Sequence, residues 1–233
     1  MVEGQRWPSF HEAVVLWEHF YTAHNVVSRN TEDLVNFLKR ICFASDTSIA
    51  YVQAVTSGKP RDETKDAVEL EVNRLVLNYL TAVATLVDIS RNTMKYYEGS
   101  RPANGYAERV AKIRERGLGP LLIRLRAHVV HRARLPWVIR VYLGGQDRLL
   151  DVVLDRKEIL RHGDIGGSAR RYLEAFEEDV PFVHLVTEYG KELADLDDWL
   201  WAQLKILYPV PRPSDWPACL FESAAAKACP DSE

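Results

Sequence analysis

The sequence predicts a mainly α-helical bundle of four to five long helices that carries one β-hairpin. Three observations lead there. Apolar residues recur at helical spacing through 10–43, 62–98, 105–116, 120–134 and 168–208. One stretch, 137–154, alternates with the period of a strand on both sides of Gly144-Gly-Gln-Asp147. The connections are short and punctuated by Gly and Pro, which favours antiparallel neighbours.

The elements follow in order. Phe10, Val14, Trp17, Phe20 and Tyr21 begin a helical stripe that resumes at Leu34, Phe37, Leu38 and Ile41. Between them, Ser28-Arg-Asn-Thr-Glu-Asp33 has the composition of a break with a fresh N-cap. Ser57-Gly-Lys-Pro60 is a loop. The next helix, 62–98, has no internal Pro or Gly and ends at Gly99, and 99–105 reads as a turn. Gly117 and Gly119 split the following region, with Pro120 suited to the first helical position. Pro136 stops that helix, and the hairpin follows. Asp155 and Glu158 have capping-box spacing. The last helical region, 168–208, is kinked or bounded at Pro181. These elements make one helical domain over 1–208, with a loose Pro/Ala/Ser-rich tail at 209–233.

The chain has 233 residues, enough for a real core, and an ordinary 47% hydrophobic and 27% charged composition. That excludes disorder as the main state. No run approaches the ~18 apolar residues of a membrane span, and the N-terminus lacks the pattern of a signal peptide. Cys42, Cys219 and Cys229 are odd in number and scattered, so neither a disulfide framework nor a CxxC metal pair is indicated. A cytoplasmic protein without membrane contact is expected.

The net charge of -3 conceals two blocks. From Arg101 to Arg140 there are ten basic residues and two acids; from Glu174 to Asp198 there are nine acids and one Lys. The basic block either offers an anion-binding surface or is neutralised by the acidic one. Phosphate-binding loops, zinc-protease, nucleophile-elbow, dinucleotide and EF-hand motifs are all absent, so no cofactor and no metal are expected.

One constellation remains. The stretch 124–136 reads RLRAHVVHRARLP, and within it Arg126 and His131 form R-x-x-x-x-H. Neutral His131 can take the proton of a ribose 2′-OH, and Arg126 can hold the phosphate and its developing charge, which is metal-independent RNA cleavage. Arg124, Arg132 and Arg134 would bind phosphates around the pair. On a straight helix, residues five apart lie about 140° apart. Arg126 then sits at the edge of the apolar face, and Arg124, His128 and His131 share the far face.

The R-x-x-x-x-H on a late helix, the helix stop at Pro136 and the Glu71-x-Asn73-Arg74 start of the long helix resemble the HEPN superfamily, over about 65–210. Its bacterial stand-alone members are the nearest likeness. The resemblance implies a homodimer with facing motifs, ribonuclease activity on single-stranded RNA, and a toxin–antitoxin or phage-defence role with a cognate partner. Active members usually carry Asn, Asp or His after the Arg; here that position is Ala127, and His128 comes one place late.

The long helix adds a polar stripe. Opposite its apolar face lie Glu71, Arg74, Asn78, Thr81 and Thr85. The uncharged run predicts a partly buried seam, against another helix or a dimer mate. Glu71, Arg74 and Asn78 are then the candidates to approach the 126–131 motif, and 71–92 and 120–134 are the expected dimer helices. Three functions follow: an endoribonuclease, a catalytically inactive HEPN-like module binding RNA or protein, and a helical interaction protein with no nucleic-acid role. A basic block that stays open in the fold favours the first two.

Overall fold

The computed structural model describes residues 8–43, 45–58, 62–132, 136–142, 149–161 and 165–207. In chain order the elements are α1 (Phe10–Cys42), α2 (Asp46–Thr56), α3 (Glu63–Lys95), α4 (Arg101–Arg116), α5 (Leu118–Arg132), β1 (Trp137–Val141), β2 (Leu150–Leu154), α6 (Arg156–Arg161), α7 (Gly167–Glu174), β3 (Val180–Pro181) and α8 (Phe182–Leu207). The mainly helical bundle with an inserted hairpin is what the sequence patterning predicts. The tail 209–233 lies outside the described residues.

Helix α1 is closed at its start by a capping box between Ser9 and Glu12. The break expected at 28–33 does not occur. Asn30 Nδ2 donates to the Val26 carbonyl at 2.7 Å and Thr31 Oγ1 to the Val27 carbonyl at 2.8 Å, so these side chains bond back along the helix instead of capping a new one. Val27 and Leu34, on either side of that turn, are both buried against the core, and this packing overrides local propensity. α2, which no pattern marked, starts on Ser45 with a capping contact to Ser48.

α3 runs antiparallel to α1 and is the centre of the bundle. Val72, Leu75, Val76, Tyr79, Leu80, Val83 and Leu86 are buried. By length and composition α3 could cross a membrane, but its apolar face is the core the other helices pack on. The expected turn at 99–105 is shorter than predicted. Ser100 Oγ accepts from the Ala103 amide at 3.2 Å, and α4 starts at Arg101. Pro102 sits in that first turn, where its missing N–H costs nothing. Gly105 is helical and lies against Trp199, whose ring would be 2.6 Å from an added Cβ. Between α4 and α5, Gly117 has φ +96°, and a Cβ there would stand 2.2 Å from the Ser168 carbonyl oxygen.

The hairpin pairs Trp137 with Leu154 through Val141 with Leu150 in antiparallel register. Its expected turn at 144–147 lies outside the described residues. β2 is buried along its whole length. β3 adds a third strand, with Val153 opposite Pro181 and Leu154 opposite Val180. The predicted single helical region 168–208 is therefore two helices, α7 and α8, with this short strand between them, and Pro181 marks the boundary. The hairpin is anchored on the bundle rather than projecting from it. Leu149 N donates to the Cys42 carbonyl at 2.8 Å, Trp137 Nε1 to Asn73 Oδ1 at 2.9 Å, and the Trp137 ring meets Phe182 edge-on. Asp155 Oδ1 accepts from the Glu158 amide at 2.8 Å and caps α6 as its spacing predicts.

Candidate functional site

The predicted motif lies on α5. Arg124 and Arg126 are exposed, Ala127 is half-buried, and His128 is buried at 6% exposure. The far-face placement of His128 is thus corrected: it turns inward, whereas Arg126 is exposed. The reason is Leu121, fully buried. His128 follows it by seven residues and lies only about 20° from it around the helix. The buried stripe is wider than Leu118, Leu122, Leu125 and Val129 alone suggest. Arg124 and Arg126 lie about 160° apart and bracket the outer face of α5, with the exposed Ile123 between them. The backbone of His131 and Arg132 belongs to α5. Their side chains, and all of Arg134, lie outside the described residues.

The polar stripe of α3 faces elsewhere. Glu71 accepts two hydrogen bonds from Arg74, both at 2.7 Å. Arg74 holds the Glu71 carboxyl below its ordinary range, mainly through these hydrogen bonds, and the Arg40 guanidinium of α1 adds to the effect. Asn78, Thr81 and Thr85 are exposed and line a shallow groove with His19 and Thr22 of α1. The partly buried seam is therefore not present within one chain. Glu71, Arg74 and Asn78 look toward α1 and solvent, because the face of α3 opposite them packs inward, and none of them pairs with Arg126.

The basic block is only partly neutralised. Arg116 Nη1 donates to Glu192 Oε1 at 3.1 Å, Arg140 pairs with Asp179, and Arg109 stacks on the Trp199 ring at 4.5 Å. Arg101, Lys112, Arg114, Arg124 and Arg126 are exposed and make no ion pair among the described residues. Much of the acidic block is occupied nearer home: Glu188 accepts from Tyr172 at 2.6 Å and Glu174 from Arg170 at 2.8 Å.

Glu192 is 7% exposed, and its second carboxylate oxygen has no hydrogen-bond partner among the described residues. Burial pushes its carboxyl up, and Arg116 offsets part of that. Raised in the folded state, this group favours folding below the ordinary carboxylate range, and that contribution is lost as pH rises through its folded value. Glu192→Gln should accordingly flatten the stability profile above the ordinary carboxylate range, measured by urea unfolding at a series of pH values. An unchanged profile would show that Arg116 fully compensates the burial.

Beneath the Arg-bearing surface, α1, α3, α4, α5, α7 and α8 enclose a cleft of about 450 Å³. Its walls are mostly apolar, with Phe20, Leu86 and Tyr189 buried in them. Gly119 allows the Tyr189 ring to close one wall, at 3.1 Å from where a Cβ would be. Burial pushes the phenols of Tyr106 and Tyr189 up, so both stay neutral hydrogen-bonding groups. Toward α1, His24 Nδ1 lies 3.9 Å from Asp197 Oδ1. Arg114 and Arg124 belong to the same lining and are exposed, so they stand at its mouth. Sequence reading placed Arg124 near phosphate but had no signal for the cleft, whose His24 and Asp197 are far apart in the chain.

No protein-family model, no curated protein and no solved structure matches this chain.

Proposed function

We propose that the protein is a HEPN-like module that binds single-stranded RNA by its phosphate backbone on the α4–α5 surface. The observation that carries this reading is the set of exposed cations on α4 and α5, Arg101, Lys112, Arg114, Arg124 and Arg126, which no acid neutralises among the described residues. Guanidinium and ammonium groups so placed neutralise phosphates without reading sequence. Ala127 offers no polar group, and the neighbouring His128 points into the core, which favours binding over cleavage. A homodimer belongs to the same proposal, since it would join the α3 stripe to α5, as does a cognate antitoxin or defence partner.

Cleavage is the second reading, favoured by the exposure of Arg126 on the helix that carries His131. One experiment separates the two. Labelled single-stranded RNA is titrated with the protein in EDTA, following anisotropy and then the products. Saturable binding with intact RNA supports the binding module. Products ending in cyclic phosphate that vanish with His131→Ala establish the nuclease instead. Absence of binding at low salt removes both readings.

A further inference from the structure

We propose that the cleft under α4 and α5 binds a single-chain amphipathic carboxylate, with its alkyl chain inside and its headgroup held by Arg114 and Arg124. The proposal does not depend on RNA binding.

The size is right for a small ligand. Such pockets usually span ~300–1,000 Å³ and have mostly apolar walls with a few placed polar groups. This one has about 450 Å³. It is also elongated. Tyr189 touches the foot of α5 at Gly119, whereas Asp197 meets His24 on α1. Those two residues are eight positions apart on α8, about 12 Å along the helix. Between them run apolar side chains, among them Leu86 and Phe20. A hydrated or strongly polar ligand would gain little there, while an alkyl chain would be removed from water along its whole length.

The charge selects the headgroup. The cations at the mouth are both guanidinium groups, exposed and without an acid partner among the described residues. Guanidinium presents a planar fork matched to a carboxylate. The acid in the lining, Asp197, lies beside His24 on the α1 side. The two guanidinium groups are the only cations of Lys or Arg type in the lining among the described residues, and the carboxylate points to them. Tyr106 and Tyr189 are neutral phenols and add no negative charge to the walls.

The test uses the full chain and calorimetric titration below micelle concentrations. The probes are dodecanoate, dodecanol, dodecyltrimethylammonium and acetate. Dodecanoate should bind one per chain, dodecanol more weakly by about tenfold or more, as expected for losing charge-assisted hydrogen bonds, and the other two not measurably. Arg114→Gln with Arg124→Gln should abolish the preference for dodecanoate while leaving dodecanol binding unchanged. Both sites are exposed, so the variant should fold; a circular dichroism melt checks this. Val110→Phe, which fills the cleft, should weaken both long-chain probes. The proposal is overturned by non-saturable dodecanoate binding, by equal binding of the cationic probe, or by a headgroup preference that survives in the double variant. Lys112 and Arg126 lie outside the cleft, so variants there test RNA binding separately.

Discussion

Trp17→Ala is expected to destabilise the fold by about 3–5 kcal/mol, the range for truncating a large buried aromatic side chain. Trp17 is 5% exposed and ties three segments together. Its ring lies 5.5 Å from Phe20 on its own helix, 5.8 Å from Tyr97 after α3, and 5.6 Å from Trp201 on α8. Its indole N–H donates to the Tyr97 hydroxyl at 3.0 Å. Alanine opens a cavity whose other walls are rings from three separate segments of the chain, so collapse is costly. Trp17→Phe keeps most of the packing and loses the hydrogen bond, which should cost nearer ~1 kcal/mol. Urea unfolding of both variants is the measurement. For a chain this size, the alanine variant should melt about 6–20 °C lower. A loss below about 1.5 kcal/mol for alanine, far under the cavity range, would mean that α8 does not close over α1 in solution.

The aromatic cluster also shows where sequence reading succeeds and where it stops. Trp17 and Phe20 fall on the helical stripe of α1, and their burial follows from periodicity. Nothing in the sequence says that Tyr97 and Trp201 complete the cluster, because they arrive from distant parts of the chain through tertiary packing. The same limit explains the corrections. Ser28 to Asp33 carries the residues of a cap, but burial of Val27 and Leu34 decides the outcome. His128 reads as a surface residue until Leu121 is known to be fully buried and to set the orientation of α5. By contrast, the Gly117 break, the Asp155 cap and the hairpin pairing are local chemistry, and each stands where the residues put it. The candidate site divides along the same line. Its exposed cations are legible as composition; the cleft that Arg114 and Arg124 border is assembled from six helices and leaves no trace in spacing.

Reversing Lys112 and Arg126 to Glu should weaken RNA binding by more than any neutral substitution on this surface, and the salt dependence shows why. Five open cations that each neutralise one phosphate of a single strand give a slope of log affinity against log salt of about −3.5. Between 50 and 200 mM salt the affinity of the unaltered chain should then fall by about a hundredfold. The double reversal removes two contacts and adds two repulsions. Its slope should drop to about −2, and its affinity at low salt should fall by at least the two lost contacts. Both side chains are exposed, so the fold and the Trp17 cluster are untouched. Their separation on different helices makes the test a strict one. If RNA bound only at the cleft mouth, through Arg114 and Arg124, the double reversal would leave the slope unchanged. A shallow slope in the unaltered chain would reject the phosphate-binding surface altogether. A slope that falls with reversal, together with unchanged dodecanoate binding, would show that Lys112 and Arg126 hold phosphate without taking part in the cleft.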